Sequence, residues 1–154
     1  QPIEPAAIRK TSEVKAPIDR TFRVFADRMG EWWHKEHSIA QGTKQVDVVV
    51  EPRAGGRWYE KGEDGSEHPW GRVVAYEPPN RLVLAWQLTR EFKFDADFET
   101  TVEVLFEEQG DTTIVRFEHR DLERMGAGAA QELEAMDGGW GMLLELFKTE
   151  AERS

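Results

Sequence analysis

The end of the chain reads as one long amphipathic helix, and such a helix needs a surface to cover. Leu133, Met136, Trp140, Leu143, Leu144 and Phe147 recur at the spacing of one helical face. Gly138, Gly139 and Gly141 interrupt that pattern. Each glycine costs a helix interior about 1 kcal/mol relative to alanine. A sequence that keeps all three gains space beside the helix, because a missing side chain leaves room. The expectation is a closing helix over a hollow.

The surface to be covered is legible upstream. Ile8 to Val14 alternates as a first strand, with Ile8, Lys10, Ser12 and Val14 on one side and an edge position in the sheet. Pro17 suits a first helical turn, and Ile18, Phe22, Phe25 and Met29 follow at helical spacing. Gly30 ends or bends that helix, and Glu31-Trp32-Trp33-His34 begins a second short one. Strands are then expected over 46–51, 57–61, 70–77, 81–88, 100–107 and 113–119. Pro52 to Gly56, Asp64-Gly65, Pro78-Pro79-Asn80 and Gln109-Gly110-Asp111 supply turns, and Thr89 to Glu99 is a long polar and aromatic connection. Gly126-Ala127-Gly128 reads as a mobile link before the final helix. Strands joined in sequence by tight turns favour an antiparallel meander. The fold class is α+β: a curved sheet of six to seven strands on a long C-terminal helix. It forms a single domain over residues 8–152, with residues 1–7 a frayed start.

Charge and composition narrow the partners. A net charge of −10 opposes broad binding to phosphate backbones, so no nucleic acid is expected. The chain has no cysteine, which removes disulfides, thiol nucleophiles and cysteine-bound metal and fits a cytoplasmic setting. No apolar run approaches the roughly 18 residues of a membrane span. There is no G-x-S-x-G, and no glycine-rich phosphate loop opens a helix. No heptad pattern demands an oligomer, so monomer and homodimer both fit.

Several motifs, in this order and spacing, resemble the activator of heat-shock-protein-90 ATPase homologue group, within the START/SRPBCC helix-grip superfamily that includes birch-pollen-allergen-like proteins. The resemblance rests on Val14-Lys15-Ala16-Pro17-Ile18 with Val24-Phe25, and on Pro52-Arg53-Ala54-Gly55-Gly56-Arg57-Trp58. It continues through Gly71-Arg72-Val73, Glu77-Pro78-Pro79-Asn80-Arg81-Leu82 and Trp86 to Gly139-Trp140 with Leu143 and Leu144. It implies a helix-grip fold with an internal cavity, and no fixed catalytic set. It also implies either a small hydrophobic molecule or a chaperone as partner. The second domain that co-chaperone members carry has no counterpart in this sequence.

The candidate cavity residues are Trp33, Trp58, Trp86, Phe106, Phe117, His119, Trp140 and Leu144. His119 shares a strand face with Val115 and Phe117, so it points inward as a ligand partner or, on the plainer reading, as a satisfied core histidine. At least one of Trp32 and Trp33 is expected to pack inward, with the other available as a lid. Glu31, His34 and His37 read as a polar helix end rather than a metal set, and no cofactor is expected. Glu60, Glu63, Asp64 and Glu67 read as a solvated surface cluster. The functional expectation is a binding domain for a small hydrophobic or aromatic ligand. The alternatives are a cyclase- or hydrolase-type enzyme using the same cavity, or a co-chaperone-like role.

Overall fold

A computed structural model describes residues 7–126 and 129–153. Two expectations, the frayed start at 1–6 and the Ala127-Gly128 part of the link, lie outside the described residues. Strand β1 (Ile8–Val14) leads into helices α1 (Ile18–Ala26) and α2 (Met29–Trp32). Six strands follow: β2 (Gln45–Val50), β3 (Arg57–Gly62), β4 (Glu67–Glu77), β5 (Arg81–Trp86), β6 (Thr100–Gln109) and β7 (Thr112–Arg120). A short 3-10 helix at Leu122–Met125 precedes α3 (Ala130–Glu152). All strand pairs are antiparallel, in the order β1-β7-β6-β5-β4-β3-β2, so β1 and β2 form the edges.

The sheet curls into a half-barrel around α3, and its bends have local causes. Register shifts fall between Gln45 and Asp47, Trp58 and Tyr59, and Val73 and Ala75. Each extra residue on one strand bends the ladder and tightens its twist. Gly71 lies opposite Trp58 on one side and Trp86 on the other. A Cβ there would stand 1.7 Å from the Ala85 carbonyl oxygen, so only glycine allows this approach. With no side chain between them, the two indoles reach a ring separation of 5.7 Å.

Helix α3 runs through its three glycines without a break. Its end is fixed to α1: Arg20 Nε donates to the Ala151 carbonyl (2.8 Å) and its Nη2 to that of Arg153 (2.6 Å). These bonds satisfy carbonyls that a helix C-terminus leaves without partners. Nearer its start, Asp137 pairs with Lys10 of β1 at 2.8 Å.

The core beneath α3 has two unlike halves. Beside α1 it is filled. Phe22 and Phe25 meet Phe106 edge-on at 5.1 and 5.9 Å, and Phe25 meets Phe147 at 5.0 Å. Trp32 closes this half, with its N–H on the Val24 carbonyl at 2.8 Å. Neither Trp32 nor Trp33 is an exposed lid, since both are buried. At the other end the side chains part and leave a cavity.

Candidate ligand cavity

The cavity holds about 340 Å³, near the lower end of the roughly 300–1,000 Å³ typical of ligand pockets. Its sheet wall is Trp70, Trp86 and Leu88, and its helix wall is Ala135, Met136, Gly139, Trp140 and Leu143. Trp33 and the segment from Glu36 to Ile39 form a third side, and Phe92 stands exposed at the mouth.

Five tryptophans form a closed circuit against this space, four of them on its wall. Ring separations are 4.8 Å from Trp33 to Trp70, 5.5 Å from Trp70 to Trp58 and 5.7 Å from Trp58 to Trp86. From Trp86 to Trp140 the distance is 5.7 Å, and from Trp140 back to Trp33 it is 5.8 Å. The contacts are tilted or edge-on, the geometries aromatic pairs favour. Three of the five indoles are locked by hydrogen bonds: Trp33 to the His37 carbonyl (2.9 Å), Trp70 to Glu60 (2.9 Å) and Trp140 to His119 Nδ1 (3.1 Å). The N–H groups of Trp58 and Trp86 meet no acceptor among the described residues.

The structure sorts the candidate residues. Trp33, Trp86 and Trp140 line the cavity. Trp58 stands behind Trp70 and Trp86, and Phe117 meets Trp140 at a tilt, 4.5 Å between centroids, without reaching the opening. Phe106 belongs to the filled half, and Leu144 is buried in the core, with its neighbour Leu143 on the cavity wall. Trp70, Met136 and Phe92 line the cavity without having been singled out from sequence. Of the three helix glycines only Gly139 borders it. A Cβ on Gly138 meets open space, and one on Gly141 lies 3.8 Å from Lys10 Nζ.

His119 faces inward and is fully buried, but its chemistry is already committed. Nδ1 accepts from Trp140, so Nε2 carries the proton and donates to Thr100 Oγ1 at 2.8 Å. Thr100 Oγ1 in turn donates to the Trp86 carbonyl at 3.4 Å. Burial pushes the imidazole down to about 3, so it stays neutral and links β6, β7 and α3. An unfolded chain takes up this proton near pH 6.5 and the folded one only near 3, so stability falls with pH inside that window. Between pH 7.5 and 5.5 this one group is expected to remove about 1.4 kcal/mol of unfolding free energy. Urea titrations should show that loss in the wild type beyond any loss in His119→Gln. Equal pH slopes in the two proteins would contradict the assignment.

Glu60 corrects an expectation. It is fully buried rather than part of a solvated cluster, because it lies two residues from Trp58 on the inward face of β3. Its carboxylate accepts from Ser38 Oγ, from the Ile39 N–H at 2.8 Å and from Trp70 Nε1 at 2.9 Å. All three donor residues line the cavity, so one carboxylate fixes two of its walls. Glu31 pairs with Arg28 at 2.8 Å instead of facing His34 and His37, whose rings lie 5.3 Å apart. No group of three or more potential metal ligands occurs among the described residues.

A curled antiparallel sheet that grips a C-terminal helix, with an aromatic cavity between them, defines the helix-grip class. Within that class, the chain belongs to the Activator of Hsp90 ATPase homolog 1-like protein family, whose profile matches residues 15–152. Among solved structures it is similar to the anthrahydroquino-gamma-pyrone synthase Txn09 complexed with SUM. The two share 31% identity over 91% of this chain and 96% of that one, with a TM-score of 0.63. It is also similar to CalC, a self-sacrificing resistance protein from Micromonospora echinospora, at 29% identity over 94% of this chain and 93% of that one, TM-score 0.68. A Rhizobium leguminosarum protein at 22% identity shares the fold, covering 98% of this chain and 97% of its own with a TM-score of 0.66. No curated protein matches the chain. Among the described residues no helix is long and apolar enough to cross a membrane.

Proposed function

We propose that this protein binds a small planar aromatic molecule in the cavity between α3 and the β4–β5 part of the sheet. The observation that carries this reading is the circuit of tryptophans with open volume on its face. A core that needed only stability would fill that volume, since interiors pack to crystal density. Indole faces recognise flat π-systems through stacking and edge contacts, and apolar burial supplies most of the affinity. The similarity to a synthase whose name denotes a fused aromatic product supports the same ligand class.

An enzymatic reading draws on the 31% identity to that synthase. Acid–base chemistry in this cavity would fall to Glu36 and His37, its ionisable lining residues, because His119 is neutral and doubly bonded. The co-chaperone reading rests on the family description alone.

Titration with naphthalene, followed by tryptophan fluorescence and by melting temperature, tests the binding reading. A saturable fluorescence change is expected, with a rise in melting temperature as the folded state gains a ligand the unfolded one lacks. No response up to the solubility limit, for naphthalene and for larger fused-ring hydrocarbons alike, would overturn it.

A further inference from the structure

Most polar groups on the cavity wall are already spent on the protein itself. Ser38 donates to Glu60, and the N–H groups of Trp33, Trp70 and Trp140 each have an acceptor. His37 is different. Its backbone is pinned from two sides, because its carbonyl accepts from Trp33 Nε1 at 2.9 Å and from Gln45 Nε2 at 2.9 Å. Its ring leans on His34 at 5.3 Å. Among the described residues neither ring nitrogen has a hydrogen-bond partner.

The ring is also turned the right way. A Cβ built on Gly139 would lie 3.8 Å from His37 Cε1. Cε1 is the carbon between the two ring nitrogens, so the nitrogen-bearing edge faces α3 where the helix wall has no side chain. Burial, and then the neighbouring His34, hold the imidazole below its ordinary pKa. At neutral pH it is therefore uncharged, with one nitrogen that accepts and one that donates.

We propose that His37 determines ligand specificity: the cavity takes planar aromatics that carry a hydroxyl group at one edge, and the hydroxyl hydrogen-bonds to the His37 ring. This rests on the aromatic-binding reading above. A bare hydrocarbon would cover the imidazole edge without replacing the water it loses, and an unpaired polar group of that kind discriminates strongly between ligands.

The test compares naphthalene with 2-naphthol on the wild type and on His37→Phe, with affinities from calorimetry. The preference for 2-naphthol over naphthalene should be about 5–10-fold larger in the wild type than in the variant. His37→Gln, which keeps a donor and an acceptor, should recover part of it. Should His37→Phe fail to fold, the wild type labelled with nitrogen-15 histidine serves. 2-Naphthol should move a ring-nitrogen resonance of His37 that naphthalene leaves in place. Both ligands binding with the same preference in wild type and variant, or with no distinct histidine shift, would overturn the proposal and leave the aromatic cavity standing. Failure of both ligands to bind at all would overturn the two together.

Discussion

Replacing Gly139 with phenylalanine is expected to weaken naphthalene binding by about 100-fold or more while leaving the protein folded. Gly139 is the cavity-lining glycine of α3, and a Cβ there meets nothing closer than 3.8 Å, so the first carbon fits. Helical side chains lean toward the N-terminal turn, which directs the new ring over Ala135 and Met136, two other lining residues. A ring in that place occupies the volume assigned to the ligand, and 100-fold corresponds to about 2.7 kcal/mol of lost contact. Gly138→Phe is the matched control. It lies one residue away on the same helix, but its Cβ points into open space and should leave affinity unchanged. Equal losses from both substitutions would mean that the helix had been disturbed rather than the cavity filled.

Glu60→Ala is expected to cost about 3–5 kcal/mol of unfolding free energy. The carboxylate is buried with three donors on it, from Ser38, Ile39 and Trp70. Each donor left without an acceptor in a buried setting costs about 1–3 kcal/mol, and the Ser38 hydroxyl recovers part of its share by rotating. Glu60→Gln keeps one acceptor oxygen and the side-chain volume, so it should cost about half as much. Because the donors line the cavity, the alanine variant should also lose ligand affinity, whereas a surface glutamate such as Glu107 should be neutral in both respects. Urea denaturation of the three variants measures this. A loss below about 1 kcal/mol for Glu60→Ala would remove Glu60 from its role as the anchor of the wall.

The order of elements was legible because most strands end at a strong chain-turning signal. Pro78-Pro79-Asn80 and Gly110-Asp111 stop β4 and β6 within a residue or two of the expected points. β4 begins at Glu67 rather than Trp70 because the Asp64-Gly65 turn is tight enough for pairing to start at once. β5 ends at Trp86, and Leu88 keeps only an isolated bridge to Phe94. The cavity was harder to read. Alternation says which face of a strand a residue takes, but not which end of the sheet. Phe106 faces inward as expected, yet it lies six residues beyond Thr100, about 20 Å along β6 from the His119 cluster. Helical phase limits the glycines in the same way. At about 100° per residue, Gly138, Gly139 and Gly141 cannot share one face, and only Gly139 falls on the cavity side. The inward turn of Glu60 was available from its spacing to Trp58. Its three donors come from the residues 38–39 segment and from β4, and no local pattern announces such a meeting. The placement of His37 depends on two hydrogen bonds to its backbone carbonyl, from Trp33 and Gln45, and lay beyond any sequence pattern.

The most direct test is where a bound aromatic sits. In a sample saturated with naphthalene, nuclear Overhauser contacts should run from the ligand protons to the Met136 methyl, the Leu143 methyls and the rings of Trp86 and Trp140, all on the cavity wall. Contacts to these groups, absent in Gly139→Phe, are the predicted result. Saturable binding with contacts confined to surface residues such as Met142 and Leu146, or an unperturbed set of indole resonances, would contradict the account.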